Sequence, residues 1–357
     1  MSNVIAFTPV ARPDAAQSIA GLIAGFSKAR RPVDDVFWLK ENAELLGILA
    51  AGGIAVSGEA LMPFEGFYDG MEERMRFFPQ YYRFLLSIVL DLEDLGMPGN
   101  RAERLCAWAA AEGVAEAELS DLQRAEARRL LARRGAAPLL GDDPLSARLR
   151  SFISRSATFA MPNKKAAYEL THIVFYLSDY GRIDPQLDDA ALTSLEFAGV
   201  LAYLDQNVDL LAEVCIALRF AGRTPSAIWT EAVATVNDDL IVLSDTEEPL
   251  ADAYHLYLVA GWAQHLAGQK AFAHVPPEPA LRFLAPNVQT GALRSLSECL
   301  FDLGPTRNAD WAQMRGHVMP YLGPDGHQVL YQAEQSTDKF DAFFEGFARA
   351  NVICGGK

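Results

Sequence analysis

The chain has 357 residues, half of them hydrophobic and 22% charged, with a formal net charge of −15. An apolar fraction that large excludes a disordered protein, because the chain would collapse to bury it. The 46 acids facing 31 bases argue against a nucleic-acid partner, and no apolar run approaches the roughly 18–20 residues that cross a bilayer.

In chain order, the first stretch that reads as regular is a short alternating piece at residues 4–7, the one clear strand signal. The apolar stretch at 19–26 is short, interrupted by glycine and followed by Lys28, Arg30 and Arg31, the wrong order for a secretory signal. Helical periodicity then takes over, with apolar residues at i, i+3, i+4 and i+7. It predicts helices over 34–51, stopped by Gly52 and Gly53, over 72–95, stopped by Gly96 and Pro98, over 101–112, and over 116–134. The Gly, Pro and Asp residues of 135–144 mark a boundary. They divide the chain into an N-terminal segment (1–33), an N-terminal helical region (34–140) and a C-terminal helical region (141–357). Beyond the boundary the pattern predicts helices over 145–159, 164–180, 188–204, 207–220, 226–238, 250–267, 290–302 and 327–350, with 239–243 ambiguous between helix and strand. The fold class is therefore all-α, with stacked helical hairpins that close into a toroid-like or solenoid body. The four cysteines are far apart and form no CxxC, so reduced thiols and a cytoplasmic location are expected.

Standard catalytic motifs are absent: there is no P-loop, GxGxxG, GxSxG, HExxH or paired-cysteine signature. No cofactor is indicated. Among the histidines, two stand out by context. Glu169, His172, Tyr176 and Asp179 fall at i, i+3, i+7 and i+10, which places them on one face of a helix whose other positions are apolar. A polar stripe on such a helix must meet water, a partner or a cavity. Asp252 and His255 repeat the carboxylate-x-x-His spacing on a helix that is apolar nearly all round, and hence central.

These six residues, Glu169, His172, Tyr176, Asp179, Asp252 and His255, form the expected site. An imidazole with an ordinary pKa near 6.5 suits acid–base work at neutral pH. Glu169, Asp179 and Asp252 would orient or charge-balance the rings, and Tyr176 or Tyr254 would donate to a developing anion. Two carboxylate-x-x-His pairs also share the spacing used by di-iron and di-manganese bundles, which need further carboxylates from two more helices. Glu41, Glu44, Asp209 and Glu213 are available on apolar helices, but spacing ties none of them to the histidines, and no metal is assigned. The bland alternative makes both histidines core residues, each satisfied by a neighbour. The arginines at 124, 128, 129, 133 and 134 read as a solvated helix face.

The segment Tyr168-Glu169-Leu170-Thr171-His172, running through Phe175-Tyr176 to Asp179-Tyr180-Gly181, resembles a YELTHxxFYxxDYG-like motif of uncharacterised bacterial helical proteins. Residues 35–46 are similar to the N-terminal region of an alphaproteobacterial family of unknown function. The resemblance implies a helical bacterial protein whose site involves His172 and His255, and it brings no reaction. Two readings follow. One is an enzyme acting on a small organic molecule in a helical cavity. The other is a non-catalytic scaffold that presents an acidic surface to a protein partner.

Overall fold

A computed structural model describes residues 15–141, 143–244, 252–272, 275, 281–287 and 289–350. The strand expected at 4–7 lies outside them. The described chain is all-α apart from one two-stranded ribbon. No helix among the described residues is long and apolar enough to cross a membrane.

The N-terminal half contains α1 (Ala15–Ala24), α2 (Val36–Ala51), the short α3 (Gly58–Leu61) and α4 (Glu65–Asp69), then α5 (Met71–Phe77), α6 (Tyr82–Asp94), α7 (Arg101–Ala111) and α8 (Asp121–Ala132). The second half contains α9 (Pro144–Ile153), α10 (Ser156–Phe159), α11 (Lys164–Leu177), α12 (Asp189–Leu204), α13 (Val208–Phe220), α14 (Ala227–Asp239), α15 (Tyr254–Leu266), α16 (Leu293–Leu303), α17 (Trp311–Val318), α18 (Pro324–Gln335) and α19 (Phe340–Ala348). Strand β1 (Ile241–Ser244) pairs antiparallel with β2 (Leu281–Leu284), Ile241 opposite Leu284. The ambiguous residues 239–243 thus divide between the end of α14 and a strand.

Capping chemistry sets the boundaries. Asp35, Ser120, Asp143, Asn163, Asp188 and Asn207 each accept a backbone N–H of the first turn of the helix that follows. Helices predicted as continuous break where that chemistry fails. The 72–95 helix divides at Phe78, whose φ of −122° and ψ of 56° leave the helical region ahead of Pro79. The 327–350 helix divides into α18 and α19 across residues 336–339. The 164–180 helix stops at Leu177, because Asp179, Tyr180 and Gly181 take left-handed φ values of 45°, 57° and 84°. Leu119 lies ahead of the Ser120 cap and is 98% exposed, so it adds nothing to the apolar side of α8.

Helix α13 is the centre of the second half. Its residues from Leu210 to Leu218 are buried without exception, and it packs against α11, α12, α14 and α15. A helix buried all round has to be central. Helix α2 packs on α6 and reaches across the chain to α15, while α11 packs on α8. Both sequence regions therefore meet along the face of α13 and α15.

A buried arginine ties the amino-terminal segment to this body. Arg30 donates through Nε to Glu41 (2.9 Å), through both terminal nitrogens to Asp252 (2.8 and 3.0 Å) and to the carbonyl of Leu281 (2.8 Å). The rings of Phe26, Phe283 and Tyr254 stand 4.9–5.3 Å from its guanidinium. Arg30→Ala would leave Asp252 buried without its cation and Glu41 with Arg31 alone, and breaking a buried pair in this way typically costs about 3–5 kcal/mol. A urea titration that placed the variant within 1 kcal/mol or so of the parent chain would contradict this account.

Candidate functional site

The site is organised around one carboxylate. On α13, Asp209 and Glu213 are four residues apart and so share a face. The Glu213 side chain is 2% exposed. Its Oε2 accepts the hydroxyl of Thr171 from α11 (2.5 Å). The next residue, His172, places Nδ1 3.6 Å from that same oxygen and 2.7 Å from the carbonyl of Tyr168. From α15, His255 places Nδ1 2.9 and 3.1 Å from the two oxygens of Asp209, and Nε2 3.9 Å from Oε1 of Glu213. One histidine thus stands beside each oxygen of a buried carboxylate. The partners also fix the tautomers: a carbonyl and an ionised carboxylate can only accept, so Nδ1 carries hydrogen in both rings and Nε2 is the bare nitrogen of the neutral form.

The electrostatics follow from burial and crowding. Desolvation raises the pKa of Glu213, against the pull of His172, Thr171 and His255. Glu44, on α2, is raised by the same cause and lowered by His255 and Lys40. Burial alone would lower His255, but the hydrogen bond and charge of Asp209, with Glu44 and Glu213, outweigh it and raise the ring to about 9. Three carboxylates converge on two imidazoles, and Asp209, Glu213 and His255 offer donor atoms that all lie within 4.8 Å of one another.

These groups line a cavity of about 100 Å³. One wall is acidic, formed by Glu44, Glu213 and the two histidines. The lining also holds Arg129, Arg133 and Arg182. Arg129 pairs with Asp179 at 2.9 Å and lies over the ring of Tyr180, which stacks on Trp262. Arg133 bridges Asp91 and Asp94, each at 2.7 Å. The arginines expected on a solvated face are in these two cases inside, with Arg129 buried and the Arg133 side chain 6% exposed. Four side-chain atoms of cavity residues have no hydrogen-bond partner: Glu44 Oε2, Arg129 Nε, Arg133 Nε and Trp262 Nε1.

The residues expected from sequence are distributed unevenly. His172 and His255 meet at Glu213. Tyr176 is buried with its ring 6.1 Å from that of His172, and burial pushes its phenol well above the ordinary value. Asp179 reaches the rim through Arg129 after leaving the helix in the left-handed turn. Glu169 pairs with Lys165 at 3.9 Å, and Asp252 is taken up by Arg30 and the N–H of Phe283. The acid on His255 is therefore Asp209, and the group holding His172 is a backbone carbonyl. Asp209 and Glu213 carry a visible signal, two acids at i, i+4 on a helix whose only other polar residue is Arg219 in its last turn. Only the structure supplies their link to the histidines.

An all-helical body enclosing a histidine–carboxylate cavity is the class that fold and site define together. The chain belongs to the family described as a domain of unknown function (DUF6902), whose model matches residues 1–350. Neither a curated protein nor a solved structure matches it.

The turn that sets the cavity rim is demanding. Left-handed backbone costs a non-glycine residue about 1–2 kcal/mol, and Asp179 and Tyr180 both adopt it. A Cβ on Gly181 would come within 2.4 Å of the Phe220 ring. Gly181→Ala should therefore lower stability by about 1–3 kcal/mol, measured by urea unfolding. An unchanged midpoint would mean that the turn relaxes freely.

Proposed function

We propose that this protein binds a small organic molecule in the Glu213 cavity and acts on it, with His172 and His255 as binding or proton-carrying residues. The observation that carries this reading is the pair of histidines standing beside the two oxygens of one buried carboxylate, at a cavity whose lining residues include unsatisfied polar atoms. A cavity of about 100 Å³ has room for roughly three water molecules, which favours a small ligand or the polar end of a larger one. The unpartnered N–H groups of Arg129, Arg133 and Trp262 suit an acceptor-rich compound, such as a carboxylate or a carbonyl. Asp209 holds His255, Tyr176 packs beside His172, and Asp179 holds Arg129. The reading includes a bacterial, cytoplasmic setting and a break near residues 135–144, with both helical regions contributing to the cavity.

Calorimetry of the full chain against a panel of small carboxylates and carbonyl compounds tests the proposal. At least one member should bind, and His172→Ala and His255→Ala should each weaken it tenfold or more, a loss of about 1.4 kcal/mol, while circular dichroism stays unchanged. Binding that survives both substitutions, with only thermal stability reduced, returns the histidines to core roles. It would leave the scaffold reading, in which helical pairs present an acidic surface to a protein partner.

A further inference from the structure

We infer that the Glu213 cavity takes a small carboxylate anion, and that Arg182, at the cavity's rim, is the residue that receives the anion's charge. The inference deepens the reading given above and rests on it for the position of the site. It commits to a charged ligand where that reading also admits a neutral carbonyl compound.

Arg182 is the least engaged guanidinium of the cavity lining. Arg133 stands 2.7 Å from Asp91 and 2.7 Å from Asp94, and Arg129 stands 2.9 Å from Oδ1 of Asp179. Arg182 has only a second share of that same oxygen, at 3.5 Å, and a contact of 3.4 Å with the Asp179 carbonyl. Both distances exceed the ordinary range of an N–H···O bond, so most of its five N–H donors remain unspent. One carboxylate thus faces two guanidinium groups. Among the described residues, a unit of positive charge at this edge of the cavity has no acid of its own.

The carboxylates of the lining do not claim that charge. Asp91 is paired with Arg133, and Glu44 stands 3.7 Å from Lys40. Glu213 is flanked by His172 and His255. The hydrogen bond and charge of Asp209, with Glu44 and Glu213, raise the His255 ring to about 9, so it is a cation at neutral pH. An incoming anion therefore meets acids that already have cationic neighbours.

Position and shape agree with the charge. The left-handed turn of Asp179, Tyr180 and Gly181 leads directly into Arg182. The Arg182 side chain lines the cavity yet keeps 37% of its surface in solvent, where a ligand can reach it. Its planar fork matches the two oxygens of a carboxylate, and such charge-assisted pairs are roughly twice as strong as neutral hydrogen bonds. A neutral carbonyl offers one oxygen and no charge. Ala43, Ile48 and Val259 give the lining an apolar surface for a short carbon chain, and a volume of about 100 Å³ keeps that chain short.

Acetate and acetamide, alike in shape and different in charge, are the probes. Each is titrated against the full-length protein at neutral pH, in a chloride buffer of constant ionic strength, and followed by calorimetry and ligand-observed NMR. Acetate should bind saturably and about tenfold or more tighter than acetamide, the range of one charge-assisted hydrogen bond. Arg182→Ala should lower acetate affinity by about the same factor, leave acetamide unchanged and so erase the preference. Arg182→Lys, which keeps the charge and loses the fork, should restore part of it. Arg104→Ala removes a 57% exposed cation beside Glu72 and should keep the parent's preference, which separates a local contact from a change in net charge. Equal binding of the two probes by the parent overturns the inference and leaves the small-molecule reading standing with a neutral ligand. A preference that survives Arg182→Ala, or one that Arg104→Ala erases equally, also overturns it. Failure of either probe to bind overturns it as well, and the wider panel of compounds then decides the cavity reading on its own.

Discussion

Withdrawing a carboxylate from water into a helical core costs several kcal/mol unless charge and hydrogen bonds replace the lost solvent. Glu213 is in that position, and the architecture around it reads as a response. Helix α11 brings a hydroxyl and an imidazole in consecutive positions, Thr171 and His172. Helix α15 brings a second imidazole, itself held by an acid one turn back on α13.

The second cluster of buried charge, around Arg30, works differently. Its cation is fully paired, flanked by aromatic rings and tied to a backbone carbonyl, so it has no capacity left for a ligand. The Glu213 cluster has unequal numbers of acids and bases and several unpartnered atoms. A closed network fixes the register of a fold, and an open one is disposed to bind. The contrast between two buried clusters of similar size is what separates a structural device from a candidate site in this molecule.

How much of this can be read in the sequence depends on whether the governing physics is local. Helix starts are local, and the acids at 35, 143 and 188 announce them as caps. All-α architecture follows from periodicity summed over many turns. Breaks that fall inside a periodic stretch are harder: Phe78 leaves the helix only because of the residue after it, and the left-handed run at 179–181 is stabilised by the hydrogen bonds of Ser178 with Phe175 and Gly181. Toroid, solenoid and bundle share one periodicity, so the pattern does not separate them. His172 and His255 are legible as polar residues on apolar helices, but their partners are not. Glu169 and Asp252 have the right spacing from their histidines, though Asp252 lies just ahead of α15, yet Lys165 and Arg30 compete for them, and the competitor of Asp252 lies more than two hundred residues away. Asp209 and Glu213 win through tertiary packing, which leaves no mark on spacing.

The distance along the chain between the groups lining the cavity has a thermodynamic consequence. Glu44 belongs to the second helix and His255 to the fifteenth, and the carboxylate between them lies on the thirteenth. None of the unfolded states brings these groups together, so whatever occupies the cavity binds the native chain alone. By mass action its binding free energy becomes folding free energy, and it grows with the logarithm of concentration above the dissociation constant. The occupant would act as a late clasp between the first and last thirds of the polypeptide, and the lifetime of the whole fold would then follow its supply.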